Sequence, residues 1–310
     1  MTENKLPYIS VIITAYNRKE YLLDAIKSVL NQTLDKKYYE IIVVKNFGCD
    51  TIDDFINKNN IKNILSDDTT LRGKIYEALY ITTGEIISFL DDDDIFSNNK
   101  LEIVYNKFKN NNITYYHNDN IPINEEKKIL NSKKRNNGID YNLSSISIRK
   151  SIIKIEDLNK INMLVDTFMY LCALESNNNI IKGNDKLTYY MFHNSISHIV
   201  AKNFEEYKKY HFDSMNTTLN SLIIFKKMFN SKNAINYLNT RITDIKIDRC
   251  IYGLNEKPEN LTNYIKNNTF SLKHRTKLFS LYIFTKIYPN FRKYFYKKVW
   301  NNYREKFVEQ

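Results

Sequence analysis

The sequence predicts an α/β protein: a mostly parallel sheet with helices on both faces, followed by a helical C-terminal extension. Three observations predict it. Short β-branched runs at 8–14 (YISVIIT), 40–44 (EIIVV) and 86–90 (IISFL) alternate with helix-period segments over the first 120 residues. Strands separated by helices imply right-handed crossovers, and hence parallel pairing. Glycine (6) and proline (4) are scarce in 310 residues, so few turns interrupt regular elements. Beyond about residue 200 the strand signal stops, and helices rich in Phe, Tyr and Lys take over. The expected organisation is therefore an α/β domain over 1–200 and a basic, aromatic-rich helical region over 201–310.

The first strand ends in Ala15-Tyr16-Asn17, and a helix follows. Asn17 and Glu20 have capping-box spacing, and Leu22, Ile26, Val29 and Leu30 share one apolar face. After the 40–44 strand come a short helix at 52–59, a short strand at 63–66 and a helix at 71–82 interrupted early by Gly73. A helix at 99–108 and a strand at 113–117 complete the alternation. Residues 120–142 are polar, with a lysine-rich run at 127–135, and read as a loop. A strand at 144–149, a helix at 161–174 and a strand at 187–192 ending at His193 precede the change near 200.

Residues 84–96, GEIISFLDDDDIF, organise the rest. The apolar half reads as a strand buried on both faces. Four aspartates, Asp91 to Asp94, stand where it leaves the sheet, and ligands of open α/β sheets bind at carboxyl ends of strands. Four adjacent like charges cost stability unless something positive sits among them. Hard cations such as Mg²⁺ or Mn²⁺ take oxygen ligands and bridge carboxylates to phosphates. The bland reading is a solvated acidic turn. No glycine-rich G-x-G-x-x-G loop follows the first strand, so a dinucleotide fingerprint is absent. Lys74, just before the acidic strand, is positioned to meet a phosphate, or else is a solvated helix lysine; Arg72 is a weaker case.

Composition bounds the function. Cys49, Cys172 and Cys250 are widely spaced, which argues against a zinc site or disulfide framework and for a reducing compartment. The N-terminus lacks the apolar core of a secretory signal, and no stretch reaches the ~18 apolar residues of a membrane span. The net charge of +11 is concentrated: 271–310 holds ten Lys/Arg and two Glu. Phe291, Phe295, Val299, Tyr303 and Phe307 recur every four residues there, with most of the cations on the other side. That pattern describes an interfacial amphipathic helix on an anionic membrane surface; the alternative is a helix packed on the catalytic domain.

Several pieces together resemble the inverting family 2 glycosyltransferases of GT-A, nucleotide-diphospho-sugar transferase fold. Residues 8–33, YISVIITAYNRKEYLLDAIKSVLNQT, are similar to that family's opening strand, T-x-Y-N turn and first helix, EIIVV to its second strand, and GEIISFLDDDDIF to its G-E-x-x-x-F-L-D-x-D-D segment. The match runs in order over roughly 1–110. The resemblance implies a nucleotide-diphospho-sugar donor and a glycan or lipid-linked acceptor. It implies Mn²⁺ or Mg²⁺ on Asp91 and Asp93, with His193 as a further metal ligand. Asp91 and Asp92 would also meet the donor, with Thr14, Ala15, Tyr16, Asn17, Asn46 and Lys74 beside the nucleotide sugar. It places the catalytic base at Asp166. The chain departs from the family after the second strand: where many members carry D-D-G-S-x-D, it has Lys45-Asn46-Phe47-Gly48-Cys49-Asp50. A lysine cannot accept the base's N–H.

Two other readings stay open. A sugar-phosphate nucleotidyltransferase would share sheet and metal chemistry but needs a phosphate loop after the first strand. A nucleic-acid-binding protein would spread its basic residues over a face, whereas here they crowd into the tail, so no nucleic acid is expected. The location expected is the cytoplasm, with peripheral attachment to the cytoplasmic face of a membrane through the tail.

Overall fold

The computed structural model describes residues 8–110, 112–130, 140–192, 201–259, 261–266 and 271–307. They fall into two compact units, Met1–His193 and Asn194–Gln310.

The first unit runs β1 (Ile9–Ala15), α1 (Leu22–Leu30), β2 (Tyr39–Lys45), α2 (Asp50–Lys58), β3 (Lys62–Leu65), α3 (Leu71–Ile81) and β4 (Ile86–Asp91). It continues with the two-residue β5 (Ile95–Phe96), α4 (Lys100–Asn110), β6 (Ile113–Ile123), β7 (Ile146–Arg149), α5 (Val165–Glu175) and β8 (Asn179–Met191). One eight-stranded sheet results, in the order β3-β2-β1-β4-β7-β6-β8-β5. It is mixed. β3, β2, β1 and β4 are parallel, as are β6 and β8, whereas β7 is antiparallel to both its neighbours and β5 to β8.

β1 is buried along its whole length, as a strand covered on both faces must be. Ile9, Val11, Ile13 and Ala15 face a layer in which Leu22 and Ile26 of α1, Ile56 of α2 and Phe108 of α4 join them. Crossovers leave β1 for β2 on one side and reach β4 on the other. Right-handedness therefore sends α3 to the opposite face, where it packs on β1 and β2. α5 packs on β6 and β7. The β1/β4 junction is the switch point of the sheet, where ligands bind in folds of this class. Gly84 lets β4 enter beside β1: a Cβ there would lie 2.6 Å from the Ser10 backbone nitrogen.

Several local expectations change. α1 starts at Leu22 with Tyr21 as an N-cap that makes no side-chain bond. Asn17 is instead a left-handed turn residue, φ 56°, whose polar groups are engaged by Asn46. Gly73 does not interrupt α3; it lies in the first turn, where a Cβ would strike the Asp68 carboxylate. β6 extends to Ile123, so the start of the polar stretch expected to be loop is strand, and β8 starts at Asn179, ahead of the strand expected from 187. The helix expected from 161 begins at Val165, after Leu164 at φ 62°.

The second unit is helical: α6 (Phe204–Met228), α7 (Lys232–Ile251), α8 (Leu261–Lys266), α9 (Leu272–Ile287) and α10 (Phe291–Phe307). Asn203, Ser231 and Ser271 cap α6, α7 and α9 through their side chains. Ile247, Ile251 and Tyr264 form a core on which Leu278, Leu281 and Phe295 pack. Among the described residues no helix is long and apolar enough to cross a membrane.

Candidate active site

Parallel pairing sets Thr14 beside Asp91, so the ends of β1 and β4 coincide. The Thr14 hydroxyl reaches Asp91 Oδ1 at 3.5 Å, and the Tyr16 N–H donates to Asp92 Oδ2 at 3.3 Å. On the other side, Ala15 pairs with Lys45 at the end of β2. Asn17 and Asn46 clasp each other there: the Asn17 N–H donates to Asn46 Oδ1 (2.9 Å) and Asn46 Nδ2 donates to Asn17 Oδ1 (2.7 Å). The structure thus brings Thr14, Ala15, Tyr16, Asn17, Asn46 and Asp91 to Asp94 to one edge.

The aspartates are not a solvated turn. Asp92 and Asp94 are each 1% exposed. Burial, reinforced by the charges of Asp94, Asp93 and Asp92, raises the Asp91 carboxyl well above its ordinary range. Burial raises Asp92 to about 6 against the pull of Arg18, and Asp94 to about 7. Arg18 is the positive group among them. Its Nη2 pairs with Asp92, and its Nη1 with Asp93 at 2.7 Å. Lys100, fully buried, bonds the Ser144 carbonyl and the Thr188 hydroxyl (3.0 Å), and burial holds its ammonium well below the usual range. The Asp91 N–H donates to Ser144 Oγ at 3.0 Å, and Asp94 Oδ1 accepts the Met191 N–H at 2.9 Å.

Lys74 is 2% exposed, which removes the solvated alternative. Its ammonium donates to the Asp68 carbonyl (2.7 Å) and lies 4.8 Å from the Tyr16 ring centre, a cation–π contact under the same turn. Arg72 reaches the Asn159 carbonyl, away from this edge. Lys45, 1% exposed, turns inward to Asp53 (2.8 Å) and the Phe47 carbonyl (2.7 Å), leaving amides rather than a carboxylate at the end of β2.

Asp166 lies in the first turn of α5, partly exposed, its Oδ1 accepting the Thr167 N–H at 2.8 Å. The Thr167 hydroxyl holds Asp140 (3.0 Å), and residues 140–144 lead to the Ser144–Asp91 bond. That chain of contacts ties the start of α5 to the end of β4. His193 lies outside the described residues.

The family model for Glycosyl transferase family 2 matches residues 10–171, just over half the chain. The chain belongs to glycosyl transferase family 2. A poly(ribitol-phosphate) beta-glucosyltransferase of Bacillus spizizenii is 32% identical over 110 residues, 33% of this chain and 17% of that protein. The chain therefore matches only a minor part of that relative's length. Among solved structures, S. aureus TarS 1-349 in complex with UDP-GlcNAc superposes with a TM-score of 0.58 at 15% identity. That match covers 83% of this chain and 78% of that one. The mannosyltransferase PcManGT of Pyrobaculum calidifontis, in complex with GDP-Man and Mn²⁺, gives 0.54 at 10% identity, covering 92% and 88%. At these identities the structural likeness establishes the GT-A-type fold of this family 2 chain.

The acidic edge fits a divalent cation in one way only. Asp94 Oδ2 is buried without a hydrogen-bond partner, and the carboxyls are crowded enough to resist ionisation, so the donor set is short of positive charge. Yet among the described residues no three carboxylate, histidine or cysteine side chains converge to hold a metal unaided. A cation here would rest on one or two carboxylates and take its other ligands from phosphate and water, the usual habit of Mg²⁺.

Sequence reasoning missed Arg18 and Lys100. The acid run itself demanded a positive partner, and Arg18 follows the T-A-Y-N turn that parallel pairing sets beside it. Its contact to Asp93 nevertheless spans 75 residues.

Proposed function

We propose that this chain transfers a sugar from a nucleotide-diphospho-sugar to an acceptor hydroxyl, with inversion, using the 1–200 region as its catalytic domain. The observation that carries this reading is the junction of the Thr14–Asn17 turn with Asp91 to Asp94 at the switch point of a family 2 fold. A donor laid across that junction has its base near the Asn17–Asn46 amides and Tyr16, and its diphosphate at the acidic edge. A divalent cation, Mn²⁺ or Mg²⁺, bound to Asp91 and Asp93 and to the diphosphate, with His193 as a further ligand, would supply Lewis-acid stabilisation of the leaving group.

The chain's own groups do the rest. Asp166 takes the acceptor hydroxyl's proton as its oxygen forms the bond to the anomeric carbon. The bond from that carbon to the diphosphate oxygen breaks, its electron pair leaves with the nucleotide, and the configuration inverts. The Thr167 N–H donates to Asp166 Oδ1 and orients that carboxylate. Arg18 and Lys74 keep positive charge beside the carboxylates and under Tyr16, which holds the edge in place for an anionic donor. A glycan or lipid-linked glycan is the acceptor in this reading. The three free cysteines suit a cytoplasmic setting.

A thermal-shift screen of nucleotide sugars with and without Mn²⁺ tests it, because a ligand of the native state raises Tm by mass action. One nucleotide sugar should stabilise the protein, and more so with the cation. If none does at millimolar concentration in either condition, the reading fails.

A further inference from the structure

α9 and α10 form a hairpin whose chemistry the transfer reaction does not use. Between them lies a cavity of about 370 Å³ walled by Leu278, Leu281, Phe291, Phe295 and Val299, with Lys277 and Lys298 also lining it. Both lysines are exposed. Aromatic contacts continue outward from the cavity: Phe291 meets Phe284 edge-on at 4.6 Å and Tyr294 at 5.8 Å, and Phe284 meets Tyr288 at 5.0 Å. This strip opens to solvent. Phe284 is 43% exposed, Ile287 62%, Tyr288 57% and Tyr294 63%, an unusual concentration of bare apolar surface.

On α9 and α10 themselves the acidic sign is missing, although α7 brings Asp244 to within 2.9 Å of His274, which lines the cavity. Residues 271–304 contain no Asp or Glu. Lys273, Lys277, Lys286, Lys297 and Lys298 are exposed on the same two helices. Arg275 is not among them; it is buried and donates to the Tyr264 and Ile265 carbonyls. The walls of the slot are largely apolar, so the polar edges of a nucleobase or a peptide backbone lose hydrogen bonds on entering it. A hydrocarbon chain has no such cost, and a phosphate beside its head would meet the two lysines.

We propose that the α9–α10 hairpin is a peripheral binding site for an anionic phospholipid bilayer. One acyl chain enters the cavity, its phosphate lies on Lys277 and Lys298, and Phe284, Ile287 and Tyr288 enter the interface. The site is independent of the transfer chemistry, so failure of either leaves the other standing.

The test uses the full chain and vesicles of phosphatidylcholine with or without phosphatidylglycerol. The protein should sediment with the anionic vesicles, release as salt rises, and ignore pure phosphatidylcholine. Lys277→Glu with Lys298→Glu should weaken binding by about tenfold or more, and Phe284→Ser with Ile287→Ser should do the same without changing the net charge. The chain has a single tryptophan, Trp300, which follows the cavity residue Val299 in sequence and packs on Phe204 and Tyr207 of α6. Brominated acyl chains should quench its emission. Thermal melts of both double variants matching the parent show that they are folded. Equal binding to both vesicle types, or undiminished binding of the folded lysine variant, overturns the proposal. So does a light-scattering mass of a dimer that leaves vesicles alone, which would make the strip a contact between copies.

Discussion

The acidic edge, in the first unit, and the α9–α10 hairpin, in the second, handle charge in opposite ways. In the first, carboxylates are drawn together and buried at the end of β4, where Asp92 and Asp94 are almost inaccessible and Arg18 supplies the opposing charge. In the second, lysines on α9 and α10 stay in water beside exposed aromatic rings. Buried charge acts over a few ångströms, shifts the proton affinity of its neighbours and makes single substitutions costly. Exposed charge acts through a diffuse field that salt screens and contributes little to folding. The first arrangement suits local chemistry and the second suits attraction to a surface.

Substitutions can break or sharpen that contrast. The largest effect should come from Asp93→Ala: losing Lewis-acid help worth several kcal/mol should reduce donor turnover by about 10³-fold or more, seen as released nucleotide. Near-normal turnover would show that Asp93 is not chemical. Asp166→Asn should cut kcat by about 10²–10⁴-fold with little change in donor affinity; an equal rise in KM would make it a binding residue instead.

Arg18→Met leaves Asp92 buried without its partner and should cost about 2–4 kcal/mol by urea denaturation at neutral pH. A loss within experimental error would erase the distinction between the two arrangements. Glu40 sharpens it as a half-buried acid remote from the reaction. Its carboxylate is opposed by burial, but the bonds from Lys62 (2.7 Å), Ser10 (2.6 Å) and Thr83 (2.6 Å) outweigh that and leave its pKa lowered. A lowered folded pKa gives stability that is present above the unfolded value and is lost as pH falls through the folded one. Glu40→Gln should therefore cost about 2 kcal/mol at pH 7, and the two melting curves should converge in strongly acidic buffer. The smallest effect belongs to Lys277→Glu with Lys298→Glu, which should leave stability within about 0.5 kcal/mol.

How much of this was legible depended on whether the cause was local. The buried strands at 8–14, 40–44 and 86–90 announce themselves because both faces are apolar. β8 did not before residue 187, because its exposed half, NIIKGNDK, is held by backbone bonds to β6 rather than by its own pattern. The start of α5 was hidden by Leu164, whose left-handed backbone no side-chain pattern indicates. At the site, the acid run was visible and its need for a counter-charge was stated by electrostatics alone. Which charge answered was not, since Arg18 comes from another strand's end. Lys74 could be read either as a phosphate contact or as a solvated helix lysine, because its contact with Tyr16 exists only once the β1 turn lies over it.

β4 lies between β1 and β7, inside the sheet rather than at its margin. The Asp92 amide is bonded to the Thr14 carbonyl, and the Asp91 amide to Ser144 Oγ. Neither contact can form until distant parts of the chain have met, so no early fragment can preassemble the acidic edge. Its amides should exchange with deuterium only when the whole sheet opens. The acidic edge should thus form only together with the sheet around it and open only with it.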